Sequence, residues 1–362
     1  MICDIARESF STLLPNCRLV CVPVADGGEG TVDCFAEVCA GTKVAVPVKD
    51  PYGKEIEAVY LRLDSGEAVI EMASSAGLPL VGEKKDPCRT STYGVGQQIR
   101  HAVEHGCKQI VLGLGGSATN DGGCGCAAAL GVRFLDAEGK AFVPVGGTLG
   151  QIADIDLTEA QKLLSGVKLT VMCDIENPLY GPNGAAYVYA PQKGADAATV
   201  AFLDTQLKQF ASVVEKKLGK FAAEVPGAGA AGGFGYGMLT LFDAALQPGI
   251  ETVLDLVRFD ELLQGCDLVI TGEGRLDSQS LQGKVLCGVG KRAKAAGVPL
   301  IAIVGGVQEQ LEDVCDRNAG ISAVFSINRQ AMALAESKHR SRENYRATLE
   351  NLLRTIQLAE QF

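Results

Sequence analysis

The chain has 362 residues, 47% hydrophobic and 21% charged, with a formal net charge of −10. That length exceeds one ordinary core and points to two domains, and the composition excludes a disordered chain. The acidic balance, with basic residues only in short pieces such as Lys291–Arg292 and Lys338–Arg340, argues against nucleic-acid binding, so an anionic ligand would need helix N-termini, a few Lys/Arg or a metal.

Residues 4–14 carry polar and apolar side chains at helical spacing, closed by Pro15 and Asn16. The apolar run 18–24 reads as a strand. An Asp-Gly-Gly-Glu-Gly turn follows at 26–30, and 32–40 reads as a helix. Short strand-like runs at 43–48, 56–63 and 68–72, broken by turns at 50–53 and 64–66, predict an antiparallel or mixed sheet. After about residue 90 the pattern changes: an amphipathic helix at 95–104, a short buried strand at 109–112, then a glycine-rich loop and a helix. Residues 131–160 are turn-rich, 168–173 form another strand, and helices are predicted at 197–218, 236–246 and 257–263. Strands at 267–271 and 299–304 flank a helix at 284–296, the alternation of a parallel sheet with helices on its faces. The expected fold class is α/β with two domains interleaved in sequence. A Rossmann-like, mostly parallel domain takes 1–20, 88–130 and 165–362; a smaller mixed α/β domain takes 21–87 and 131–164.

Glycine is over-represented, with 44 copies, where average usage would give roughly 25. The glycines cluster at 113–125, 227–237 and 272–283, between apolar runs, which suits close backbone approach to a ligand better than a flexible linker. The first cluster follows a buried strand and continues through Ser117, Thr119, Asn120 and Asp121. Ligands bind beyond the carboxyl ends of strands in open α/β sheets, and free loop amides can hold a phosphate; a plain glycine turn with a helix cap is the competing reading. Neither the GxxxxGK[ST] pattern nor GxGxxG is matched there. The second site, 269–284, again follows an apolar strand. Glu273 and Asp277 could hold Mg²⁺, and Arg275 or Lys284 could neutralise phosphate oxygens, against the alternative of a solvated surface turn. At 24–31, Asp26 and Glu29 sit in a tight turn that could equally be structural. At 171–183, Asp174 follows a strand, a position that suits a metal ligand or general base. The uncharged run 226–237 either packs close to a nucleotide or serves as a helix entry.

His101 and His105 lie four apart without an HExxH pattern and read as a helix surface, as does His339 in a charged C-terminal helix. The 13 cysteines contain no CxxC pair and read as reduced thiols of a cytoplasmic protein. No signal peptide, transmembrane run or GxSxG motif is expected.

Taken together, VPVADGGEGTVD at 22–33, KDPYGK at 49–54, AVIEMASSAGLPLV at 68–81, RTSTYGVG at 89–96, LGLGGSATNDGG at 112–123, VMCDIENPLYGPNGAAYVYAPQKGA at 171–195, PGAGAAGGFGYG at 226–237 and DLVITGEGRLDSQSLQGK at 267–284 resemble the bacterial glycerate kinase family. This is the class unrelated to the P-loop and sugar-kinase folds. The resemblance runs in order from about residue 4 to the end. It implies two α/β domains with the site in their cleft, and ATP- and Mg²⁺-dependent phosphorylation of D-glycerate, commonly to 2-phosphoglycerate, with 3-phosphoglycerate as the other product. Carried onto this chain, it implies site residues Asp26, Ser117, Asn120, Asp121, Asp174, Glu273 and Asp277. Chemistry then favours Asp174 or Asp26 as base and Glu273 with Asp277 for Mg²⁺. Arg89, Arg275 or Lys284 would hold carboxylate or phosphates. The expected partners are glycerate and ATP, with no membrane or nucleic acid; a homodimer is left open.

Family members usually begin with an apolar strand leading into a segment like APDSFKG and then a helix. This chain begins inside that helix, and a late start is the expectation. The competing functions are a nucleotide- and glycerate-binding protein without turnover, and a kinase of another small hydroxy acid.

Overall fold

The computed structural model describes residues 2–24, 27–276, 285–308, 320–328, 330 and 334–359. The chain divides into two units, one of residues 25–249 and one of 1–24 with 250–362.

The strands of the 25–249 unit are, in chain order, β1 (Gly41–Lys49), β2 (Glu55–Leu63), β3 (Glu67–Glu71), β4 (Gln109–Gly113), β5 (Arg133–Leu135), β6 (Ala141–Phe142), β7 (Asp154–Asp156), β8 (Lys168–Met172) and β9 (Ala245–Gln247). Six of them make one sheet in the order β1-β2-β3-β4-β8-β9. β1, β2 and β3 are antiparallel, as expected for short runs joined by tight turns. Along β1 the alternating Val44, Val46 and Val48 turn inward. From β3 onward the pairing is parallel, and Ala68, Val69, Ile70, Ile110, Val111 and Leu112 are buried. A strand covered on both faces needs an apolar side chain at every position, which explains these continuous runs.

The β3–β4 pairing runs from Glu67↔Gln109 to Glu71↔Gly113. It joins segments expected in different domains, 21–87 and 88–130, into one sheet, so the observed units differ from the expected division. The turn-rich stretch 131–160 holds a small antiparallel sheet, β6-β5-β7, and it too lies in this unit.

The helix Tyr93–Glu104 packs one face of the large sheet through Val95, Ile99 and Ala102. It also lies backbone to backbone on the helix Cys124–Leu130: a Cβ on Gly96 would stand 2.3 Å from the Cys126 carbonyl. A second core gathers Phe134, Leu203, Leu207, Phe210 and Tyr236 around the long helix Ala197–Leu218. The helix predicted at 236–246 spans Ala230–Phe242, with left-handed backbone at 231–233, and it gives way to β9.

In the other unit β10 (Val269–Thr271), β11 (Leu300–Val304) and β12 (Ala323–Ser326) form a parallel sheet in that order. The helix Val285–Ala295 covers it through Leu286, Val289 and Ala293. The helices Ile2–Leu13 and Ser341–Ala359 pack through Leu13, Leu14, Leu349 and Leu353. The single helix predicted near 257–263 is two, Gly249–Leu256 and Phe259–Leu262, separated by Arg258 with φ 54.

One predicted strand is absent: 18–24 has no strand pairing, and Val20 and Val24 are exposed. An apolar run becomes a strand only when a neighbour takes its backbone hydrogen bonds, and Pro23 removes one donor. No described helix is long and apolar enough to cross a membrane.

Candidate active site

The carboxyl ends of β3, β4 and β8 meet on one rim of the large sheet, and the loop that leaves β4 lies at its centre. Two other glycine-rich segments press on that loop. Gly115 donates its amide to the Gly27 carbonyl, and a Cβ on Gly113 would sit 2.4 Å from that same oxygen. Gly122 donates to the Gly232 carbonyl, and a Cβ on Gly232, whose φ is +70°, would stand 2.1 Å from the Thr119 carbonyl. Only glycine allows contact this close, so three motifs far apart in sequence converge through bare backbone.

Buried polar groups brace the loop. Asp121 is fully enclosed. Its Oδ2 accepts from Thr92 N (2.8 Å), Thr92 Oγ1 (2.8 Å) and Gly125 N (3.2 Å), and its Oδ1 accepts from Gly123 N (3.2 Å). Burial pushes its pKa up, and the four donors oppose that shift. Asp121 was expected to meet a ligand; its carboxylate instead faces the loop and the helix Cys124–Leu130 that it caps. Thr90 Oγ1 donates to the Ala118 carbonyl at 2.9 Å.

Ser117 and Asn120 sit in the same loop and are buried. Both amide atoms of Asn120 and the Thr119 hydroxyl lack a hydrogen-bond partner among the described residues. Groups of this kind cost about 1–3 kcal/mol each when left unsatisfied. Their collection in one loop at a strand end makes that loop the candidate ligand site.

Glu71, at the end of β3, is also buried; its carboxylate accepts from Val32 N, in the first turn of the helix Thr31–Val38. That helix starts from Gly30 without a side-chain cap of its own, so Glu71 supplies one from a neighbouring strand and holds the 27–30 turn against the loop. Burial raises the Glu71 pKa, and the amides of Val32 and Gly30 pull against it.

Asp174 follows β8 and is exposed; its Oδ1 accepts from Gly249 N at 2.8 Å. Arg89 is exposed on the turn that begins at Asp86. In the other unit Glu273 lies in the loop after β10, and its Oε1 accepts from Leu286 N at 3.1 Å, at the start of the helix Val285–Ala295. Arg275 is exposed two residues on. Asp26, Asp277 and Lys284 lie outside the described residues. Ser117, Asn120 and Asp121 are therefore brought together in one loop, Asp174 stands at the end of the adjacent strand β8, and Glu273 and Arg275 share the loop after β10.

Three contributors were not anticipated from the sequence: Glu71, Thr92 and Lys193. Lys193 is buried, and its Nζ donates to Ser117 Oγ at 2.9 Å and the Thr119 carbonyl at 2.6 Å. Burial lowers its pKa to about 7, against the raising effect of Asp121. The one signal for it was its place in the PQKG segment of a long motif; a lysine in a polar turn otherwise reads as surface.

A family model described as the glycerate kinase family matches residues 1–357. A glycerate kinase of Halalkalibacterium halodurans is 48% identical over 333 residues, 91% of this chain and 87% of that one. The glycerate 2-kinase of Escherichia coli is 40% identical over 352 residues, 97% of this chain and 92% of the relative. A crystal structure assigned as glycerate kinase 2 of Salmonella typhimurium LT2 superposes with a TM-score of 0.86 at 38% identity, covering 100% of this chain and 95% of that one. With a match of this extent, and with the glycine-rich motifs gathered around one loop, the chain belongs to the glycerate kinase family.

Proposed function

We propose that this protein transfers the γ-phosphoryl group of ATP to D-glycerate and forms 2-phosphoglycerate. The observation that carries the reading is the loop after β4, where family motifs meet around buried Ser117, Thr119 and Asn120 groups that have hydrogen-bonding capacity left over. In the reaction the glycerate hydroxyl oxygen bonds to the γ-phosphorus as the bond to the bridging oxygen breaks. ADP leaves with that electron pair, and the hydroxyl proton passes to a carboxylate. Phosphoryl transfer of this kind depends on positioning and charge neutralisation more than on covalent chemistry. Asp174, exposed at the end of β8, is the base we favour, with Asp26 as the alternative. Ser117 and Asn120 hold anionic substrate oxygens, and Asp121 holds the loop that presents them. Arg89, Arg275 and Lys284 are assigned to carboxylate and phosphate oxygens.

Mg²⁺ is the metal this chemistry calls for. Among the described residues no group of three or more His, Cys, Asp or Glu side chains could hold a metal. Mg²⁺ in such enzymes is commonly held by one or two carboxylates and chiefly by substrate phosphates. Glu273, with one oxygen turned to Leu286 N, would support it together with Asp277. When bound, the ion neutralises charge on the phosphates. The absence of disulfides among the described cysteines and the use of ATP support a cytoplasmic setting.

The test is ADP release coupled to a reporter, with D-glycerate, ATP and Mg²⁺, and the product identified by ³¹P NMR. Turnover with a 2-phosphoglycerate signal is expected. A 3-phosphoglycerate signal would overturn the regiochemistry, and ATP binding without ADP release would overturn the kinase reading.

A further inference from the structure

Lys193 has no part in the reaction as written above, yet it is the only buried lysine or arginine among the described residues. It ends the short 3₁₀ turn Pro191–Lys193. The Gly194 backbone that follows lies against Lys85, where a Cβ would meet the Lys85 carbonyl at 2.7 Å. The side chain reaches the loop after β4, and Nζ contacts Ser117 Oγ and the Thr119 carbonyl at 2.9 and 2.6 Å.

An ammonium that donates to a serine oxygen occupies an acceptor position and leaves the serine hydrogen for another partner. No acceptor for that hydrogen is found among the described residues. The neighbouring Thr119 hydroxyl and Asn120 amide are buried and likewise unpartnered. Three donor-bearing side chains thus sit in one loop, and a fourth, Lys193, donates to one of them from outside it.

We propose that Lys193 is a positioning residue for anion binding: its ammonium fixes Ser117 Oγ and the Thr119 carbonyl so that the Ser117 hydroxyl donates to an anionic oxygen of the bound substrate, a carboxylate or a phosphate. The identity of that substrate rests on the functional reading above; the role of Lys193 does not.

Electrostatics sharpen the expectation. The ionisable groups on elements around Lys193 are Asp121 in the loop, Lys85, Asp86 and Arg89 on the segment before the helix Tyr93–Glu104, and Tyr189 and Asp196 on its own stretch of chain. Of these only Asp121 acts appreciably on its charge, and it favours the ammonium, while burial, the larger effect, disfavours it and brings the pKa to about 7. A bound anion favours the charged form. Substrate and proton therefore bind together, and affinity is greatest below about pH 7 and falls as pH rises above it.

The experiment uses the full chain as wild type, Lys193→Met, Ser117→Ala and the double variant, with steady-state kinetics from pH 6 to 9. Methionine keeps the volume and removes Nζ. A charge-assisted, oriented hydrogen bond predicts a rise in KM of about 10- to 100-fold in Lys193→Met, larger than the fall in kcat. A rise for glycerate marks the carboxylate as the bound group; a rise for ATP marks a phosphate. Wild-type KM should climb above pH 7 and that dependence should be lost in Lys193→Met. In the Ser117→Ala background the Lys193 substitution should add less than about twofold, because the two act as one unit. Unchanged KM and pH profile in Lys193→Met, or fully additive effects, would overturn the proposal. Should Lys193→Met not fold, Ser117→Ala alone decides: a flattened pH profile supports the proposal and an unchanged one overturns it. Should the wild type not turn over glycerate, only the functional reading fails. The proposal is then judged by calorimetric titration of inorganic phosphate, where binding equal in wild type and Lys193→Met would overturn it and weaker binding in the variant would support it.

Discussion

The loop that leaves β4 and the loop that leaves β10 look alike on paper: an apolar strand, several glycines, one or two carboxylates. In three dimensions they are built in opposite ways. After β4 the carboxylate of Asp121 is enclosed and accepts four hydrogen bonds from the loop and its flanks, so it shapes the loop rather than meeting solvent. After β10 Glu273 stays partly accessible and its carboxylate accepts from Leu286 N in the first turn of the next helix, while Gly274 and Arg275 are exposed. The lesson is that composition marks a loop as a place for a ligand, whereas burial determines whether an acidic side chain holds the loop or remains available to bind.

The contrast can be broken most sharply at its two carboxylates. Asp121→Ala strands four buried donors, and a loss of about 3–5 kcal/mol is expected in denaturant unfolding. A loss below about 1 kcal/mol would mean that the enclosed network does not hold the loop. Next come the glycines. Gly232→Ala places a Cβ 2.1 Å from the Thr119 carbonyl at φ +70°, whereas among the described residues a Cβ on Gly274 meets no atom within 4 Å. About 2 kcal/mol or more of destabilisation is expected for the first and a change within about 0.5 kcal/mol for the second. Equal melting temperatures in the two variants would erase the difference between the loops.

Glu273→Ala removes a helix cap, and about 1 kcal/mol of stability should go with it. Glu273→Gln keeps a hydrogen-bonding side chain and removes the charge. Near-wild-type melting is expected with kcat/KM for ATP lowered at least about tenfold at limiting Mg²⁺. Full activity in that variant would end the metal-supporting assignment. The smallest change in stability is predicted at Arg89, exposed on its turn. Arg89→Ala should leave unfolding within about 0.5 kcal/mol of wild type, while kcat/KM for glycerate falls by about tenfold if the guanidinium meets the substrate.

Much of the fold was legible because it is written in short-range periodicity. The runs at 43–48, 56–63, 68–72 and 109–112 became β1 to β4 with shifts of a residue or two, and the helix at 197–218 has the bounds its pattern suggested. Two glycine-rich motifs, at 113–125 and from 272, do follow strands, β4 and β10, as their apolar approach runs suggested. The strand at 18–24 failed because hydropathy does not say whether a partner exists. The small strands β5 to β7 and β9, of two or three residues, are too short to leave a period.

At the candidate site, the placement of Ser117 and Asn120 in one loop after a strand was legible from residue type and position. Glu71 was hidden because it reads as the end of an apolar strand, although it caps a helix 39 residues earlier in the chain. Lys193 was hidden because a lysine next to Pro-Gln and Gly has the texture of a solvated turn, and nothing local shows that Ser117, 76 residues away, receives its ammonium.

The sequence by itself determined the local elements, the positions of the close-approach glycines and the family, since each is a property of residues near one another or of long motifs read in order. The tertiary structure alone decided that 67–71 would lie parallel to 109–113, that Asp121 would turn inward and that Lys193 would be buried against the Ser117 loop. Those outcomes depend on which distant segments share a sheet rim. Burial there changes the energy of a charged side chain by more than its neighbours along the chain can.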